Sequence, residues 1–91
     1  MLMNTTFDPA KDAVNLAKHG VSLAEAARLD WGNALVSLDD RREYGEPRQV
    51  ALAPMDGRLW VVVFTDRPEG RRVISLRKAN LREYRVYEQA P

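Results

Sequence analysis

An α+β fold is expected for this 91-residue chain on three observations: helical capping signals in its first third, Val- and Leu-rich runs separated by turn residues in its middle, and a second helical cap near its end. Together they predict two N-terminal helices, a four-stranded antiparallel sheet and a C-terminal helix, in the order α-α-β-β-β-β-α. The length suits one domain spanning residues 1–91.

The first helix opens at Asp8-Pro9, an N-cap acceptor followed by proline at the first helical position, and stops at Gly20. Within it Ala10, Ala13, Val14 and Ala17 recur at i, i+3, i+4 and i+7. That stripe, with Leu16 beside it, is expected to face the core, and Lys11, Asp12, Asn15 and Lys18 to face solvent. Ser22 to Glu25 reads as a capping box, with Val21 placed to contact Ala26, and opens a second helix that runs to about Leu29.

From Trp31 onward the pattern becomes extended, with strands expected at 34–38, 49–53, 59–65 and 72–76. Pro54-Met55-Asp56-Gly57 and Asp66-Arg67-Pro68-Glu69-Gly70 are hairpin loops, so the last three strands form an antiparallel meander. The run at 59–64 is apolar on both faces. It should be the central strand, covered by helices on one side and by something else on the other, a partner chain being one candidate. The segment 39–46 is charged enough to be a mobile loop. The final helix begins at Asn80-Leu81-Arg82-Glu83, a capping box with Asn as the cap, and aligns Leu81, Tyr84 and either Tyr87 or Glu88 along one stripe.

Composition excludes several classes. With 45% apolar and 30% charged residues the chain is neither disordered nor fibrous. The absence of Cys removes disulfide frameworks, thiolate zinc sites and Cys nucleophiles, and fits a reducing cytoplasm. The longest apolar run falls far short of the ~20 residues that cross a bilayer, and the first residues carry no targeting pattern, so no membrane association is expected. The net charge of +1 hides an asymmetry. Residues 1–66 hold seven bases against ten acids, whereas residues 67–91 hold seven against three, six of those seven being Arg. Guanidinium forks match phosphate oxygens, so the tail points to an anionic partner.

Phe7-Asp8-Pro9, Lys11, Asn15, Lys18-His19-Gly20-Val21, Gly45-Glu46, Arg48, and Arg72-Val73-Ile74-Ser75-Leu76-Arg77-Lys78-Ala79 with Glu83 and Tyr87 resemble the BrnT family, the toxin halves of bacterial type II toxin–antitoxin pairs. The likeness runs in order along nearly the whole chain, and its Lys-His-Gly-Val and Ile-Ser-x-Arg-Lys-Ala blocks are specific as a pair. It implies a compact RelE-like fold and a metal-independent endoribonuclease, without a cofactor, that slows translation. It also implies neutralisation by a BrnA-like antitoxin carrying a ribbon-helix-helix domain, with operator DNA reached only through that antitoxin. The chain departs from the family pattern in having Phe7 after two threonines instead of Phe-x-Trp, Ala53-Pro54 where Gly usually ends the second strand, and a longer loop at 67–70.

Metal-free RNA cleavage needs a base for the 2′-OH proton, an acid for the leaving 5′-oxygen, and cations for the charge that develops on phosphate. His19 is the only histidine and suits either proton-transfer role, although in the last turn of a helix it also suits the free carbonyls there. Arg72, Arg77 and Lys78 are the candidate phosphate ligands. In a regular strand Arg72 would share a face with Ile74 and Leu76, and Arg77 the other with Val73 and Ser75, so the two arginines converge only if the chain bends near Leu76 or Arg77. Glu83 can act as general base or as the partner of Asn80 in the cap. Lys18, Arg82 and Tyr87 are candidates for RNA contact, with Tyr87 and Tyr84 equally suited to packing. Metal-ligand spacings, a Gly-rich phosphate loop and a Ser elbow are all lacking. A rival from another class is a non-catalytic module that binds an antitoxin through an apolar sheet face and modulates operator binding.

Overall fold

The computed structural model describes residues 4–40 and 45–91. Arg41, Arg42, Glu43 and Tyr44, within the expected loop at 39–46, lie outside the described residues. The elements are β1 (Thr5–Thr6), α1 (Pro9–His19), 3-10 helices at Leu23–Arg28 and Trp31–Asn33, β2 (Leu35–Asp39), β3 (Arg48–Met55), β4 (Arg58–Arg67), β5 (Gly70–Lys78) and α2 (Leu81–Gln89). The strands form one sheet in the order β1-β5-β4-β3-β2.

The α+β class and the β3-β4-β5 meander agree with the sequence. β4 is central, and residues 59–65 along it are all buried. Both hairpins are tighter than expected. β3 continues through Pro54 to Met55, leaving Asp56-Gly57 as a two-residue turn with φ of 54° and 72°, the mirror-image geometry that matches strand twist. Likewise β4 and β5 pair as far as Arg67 and Gly70.

The sheet has a fifth strand and is mixed, not four-stranded and antiparallel. β1 pairs in parallel with β5 through Thr5↔Arg71 and Thr6↔Arg72. Two residues are too few to show a strand period, and their partners lie far away in sequence. The approach is close enough that Gly70, at φ 142°, is the residue the site accommodates: a Cβ there would sit 2.4 Å from the Asn4 carbonyl oxygen. Gly70→Ala is expected to cost about 2 kcal/mol, measured by urea unfolding, through backbone strain and the loss of β1. A change below about 0.5 kcal/mol would mean that β1 yields freely.

The expected second helix is a six-residue 3-10 turn at Leu23–Arg28. Its Glu25 makes no capping box. The Glu25 N–H donates to the Ser22 backbone carbonyl at 3.1 Å, and the Ser22 hydroxyl and Leu23 N–H both donate to Asp12 Oδ1, at 2.9 and 2.7 Å. These bonds to α1 hold the Ser22 hydroxyl and the Leu23 N–H at the start of the turn.

The largest difference concerns α1. Its expected core stripe is exposed, Val14 to 65% and Leu16 to 51%, whereas Asn15 is buried at 4% and Asp12 half-buried. At about 3.6 residues per turn, Ala10, Ala13, Val14 and Ala17 lie opposite Asp12, Asn15 and His19. The polar side is the packing side because β5 offers a free backbone edge. Asn15 Nδ2 donates to the carbonyls of Leu76 and Val21, both at 2.9 Å, and its Oδ1 accepts the Leu76 N–H at 3.1 Å. One amide side chain thereby stands in for a neighbouring strand.

The two sheet faces are covered unequally. On one, Leu23, Ala26 and Leu29 of the 3-10 turn meet Ala51, Trp60, Val62, Phe64, Val73 and Leu76. Arg71 lies over the rings of Trp31 and Phe64, at 4.7 and 4.2 Å from their centroids, and pairs with Asp66. On the other, Tyr84 and Tyr87 of α2 cover only the end formed by Leu52, Leu59 and Val61, which leaves the rest as a groove. No helix among the described residues is long and apolar enough to cross a membrane.

Candidate active site

An irregularity in β5 decides which side chains meet. β4 and β5 pair from Trp60↔Lys78 to Val63↔Ser75, and again from Phe64↔Val73 to Arg67↔Gly70, so Ile74 is an extra residue without a partner on β4. Register partners share a face of the sheet. Arg77 lies opposite Val61, Ser75 opposite Val63 and Arg72 opposite Thr65, and these three β4 residues alternate along one face. The bulge therefore brings Arg72, Ser75 and Arg77 to the same side. Regular alternation would have separated the two arginines, and the required break comes at Ile74, earlier than a bend near Leu76 or Arg77.

That side is the open groove, about 290 Å³, lined by Ser37, Asp39, Val50, Val63, Ser75, Arg77 and Glu83 among others. Arg77 is clamped within it: Nη1 and Nη2 donate to Glu83 Oε1 and Oε2 at 2.9 and 2.7 Å. Glu83 also completes the α2 cap, with Oε1 accepting the Asn80 N–H at 2.8 Å while Asn80 Oδ1 accepts the Glu83 N–H at 2.9 Å. The Arg77 guanidinium, assisted by the Asn80 N–H, holds the Glu83 carboxyl below its usual range. Both carboxylate oxygens are thus engaged, and Glu83 fixes where Arg77 points.

His19 approaches from the other side of β5. It is the last residue of α1, and the Gly20 N–H closes the helix on the Leu16 carbonyl at 2.9 Å. A second groove, about 430 Å³, runs between α1 and β5, with Lys11, Val14, Lys18, His19, Ile74 and Ser75 in its lining. Partial burial, then the positive charges of Lys18 and Arg77, hold the imidazole below its ordinary value of 6.5. This favours the neutral imidazole, the form that can accept a proton. Ser75 lines both grooves and marks where they adjoin.

The remaining expected residues are dispersed. Arg72 faces the Arg77 side, and its Nε is buried without a hydrogen-bond partner among the described residues, as is Oγ1 of Thr6, its register partner on β1. Lys78 is paired in register with Trp60 and leaves the sheet on the face opposite Arg77. Lys18 lies beside His19, while Arg82 is exposed on α2. Tyr87 packs against the Leu52 and Leu59 cluster and donates its hydroxyl to the Asn33 carbonyl at 2.6 Å, and the Tyr84 hydroxyl accepts the Leu59 N–H at 2.9 Å.

Ser37, Asp39 and Ser75 join the groove without having stood out in the sequence. The alternation of Ser37 and buried Asp39 with Val36 and Leu38 was the available signal, since it puts the polar residues of β2 on one face. Asp39 stands directly opposite Arg48 in register. Among the described residues no three His, Asp or Glu side chains group as metal ligands would.

The sequence profile of the family described as ribonuclease toxin, BrnT, of type II toxin-antitoxin system matches residues 7–83. No curated protein matches the chain significantly.

Proposed function

This chain belongs to the BrnT family of ribonuclease toxins of type II toxin–antitoxin systems, and from that premise we propose that it is a metal-independent endoribonuclease whose site straddles β5. The observation that carries the proposal is the bulge at Ile74, which puts Arg72, Ser75 and clamped Arg77 on one face with His19 just across the strand.

In this mechanism His19 takes the proton of the 2′-OH, whose oxygen attacks the adjacent phosphorus. The 5′-oxygen leaves as its bond to phosphorus breaks and takes a proton from solvent water, giving a 2′,3′-cyclic phosphate and a 5′-hydroxyl end, and the His19 imidazolium returns its proton to solvent. Arg77 stabilises the charge gathering on the phosphoryl oxygens, and Arg72 holds phosphate farther along the same face. Glu83 positions Arg77. Lys18 neighbours the base, and Lys78 and Arg82 lie outside the groove, where they attract RNA at longer range. Neutralisation by a BrnA-like antitoxin completes the assignment.

The test is cleavage of purified RNA in excess EDTA with mapping of the new ends. Cyclic phosphate termini are expected, with a rate that falls on acidification at a midpoint below 6.5, because a His with a lowered pKa remains a competent base until that point. A requirement for added divalent metal, or a midpoint above 6.5 that is unmoved by His19→Ala, would overturn the mechanism. No cleavage by the isolated chain would favour the non-catalytic antitoxin-binding module.

A further inference from the structure

We propose that the groove between α1 and β5 is the docking site for the protein antitoxin, and that its occupant silences the enzyme by covering His19. This rests on the toxin–antitoxin reading only for the existence of a protein partner. Three features point to the groove. The first is the inverted orientation of α1: hydrogen bonds accepted by Asp12 and made by Asn15 secure its inner side, so Ala10, Ala13, Val14 and Ala17 form an apolar strip that nothing among the described residues covers. Val14, 65% exposed, faces Ile74 of the bulge across the groove.

The second feature is charge. Lys11 and Lys18 lie one helical face round from the strip and line the groove with Val14; Asp8, the acid that also lines it, caps the helix by accepting the Ala10 N–H at 2.9 Å, and Asp12 is turned inward and engaged by Ser22 and Leu23, so the lysines outnumber the acid there. The complementary occupant is an amphipathic segment with aliphatic side chains flanked by Asp or Glu. A second copy of this chain would instead oppose lysines to lysines. Among the described residues the lining holds no Phe, Tyr or Trp on which a base could stack, so RNA fits the strip less well than protein does.

The third feature is continuity with the proposed catalytic residues. His19 lines the same groove as Val14, so an aliphatic side chain seated between Val14 and Ile74 shields the imidazole from RNA. Inhibition then needs no conformational change in the toxin.

The experiment compares the wild-type chain with Val14→Glu and Lys11→Glu, neither of which replaces a residue assigned to cleavage. The probe is the protein encoded next to this chain's gene, purified and titrated by calorimetry. Val14→Glu is expected to weaken binding about 30-fold, as loss of a central interface anchor does. Lys11→Glu should weaken it about fivefold at low salt, with the difference shrinking as salt rises. In the RNA assay Val14→Glu should still cleave RNA and escape inhibition, the inhibition being read against each variant's own uninhibited rate. Equal affinity of the wild type and Val14→Glu, or failure of the wild type to bind, would overturn the docking site. So would a wild-type dimer in sedimentation that Val14→Glu dissociates, since the strip would then belong to a second copy. Loss of RNA cleavage in the wild type would sink the ribonuclease mechanism and leave the affinity comparison to decide docking separately.

Discussion

Replacing Arg77 with alanine is expected to lower RNA cleavage by about two to three orders of magnitude, the cost of removing one preorganised group that meets developing charge. Stability should change by no more than about 0.5 kcal/mol, because the lost partner, Glu83, is only partly buried and keeps its bond from the Asn80 N–H at 2.8 Å. Arg77→Lys should restore little, since an ammonium cannot span both Glu83 oxygens and still present a fork to phosphate. Glu83→Gln is expected to fall between wild type and Arg77→Ala: its amide still accepts the Asn80 N–H while its hold on Arg77 loosens. A parallel loss of cleavage and of melting temperature in Arg77→Ala would show that the residue holds the fold and would remove it from the site.

Asn15→Ala carries the largest expected effect on stability, a loss of about 3–4 kcal/mol, or roughly 15–20 °C in melting temperature for a domain of this size. Deleting the amide strands the Leu76 N–H, the Leu76 carbonyl and the Val21 carbonyl at a site where Asn15 is only 4% exposed. Helix propensity favours alanine over asparagine, so any destabilisation measured by urea unfolding reports the lost bonds. A loss below about 1 kcal/mol would mean that water replaces the amide and that α1 is not held through it. Cleavage should fall as well, because α1 carries His19 to the β5 edge.

These two residues also show what sequence makes legible. The β3-β4-β5 meander and α2 were readable because Val and Leu runs with turn residues, and an Asn80–Glu83 cap, are local signals that tertiary contacts reinforce. Periodicity also revealed that α1 has two unlike sides. It could not tell which side packs, because apolar spacing assumes that burial decides, and here the unpaired edge of β5 made hydrogen bonding decide. The bulge at Ile74 escaped for a related reason: Arg72-Val73-Ile74-Ser75-Leu76-Arg77 reads as plain alternation, and the pairing with β4 alone shows the extra residue. Side-chain chemistry identified Arg72, Arg77, Lys78, His19 and Glu83 as candidates, and Lys78 falls on the face opposite Arg77. The placing of His19 in one groove and of Arg77 and Glu83 in another, the two meeting at Ser75, depends on strand order, and strand order is long-range.

The same arrangement of strands bears on how the molecule behaves when crowded. At one end of the sheet, β1 and Asn15 occupy the backbone of β5, and at the other, β2 has no strand beyond it among the described residues. Fibrous cross-β growth requires every unit to offer two vacant edges, one to accept a neighbour and one to recruit the next. Here the β1 edge is two residues long and the β2 edge five, so β2 offers a neighbouring chain the longer run of backbone to pair with.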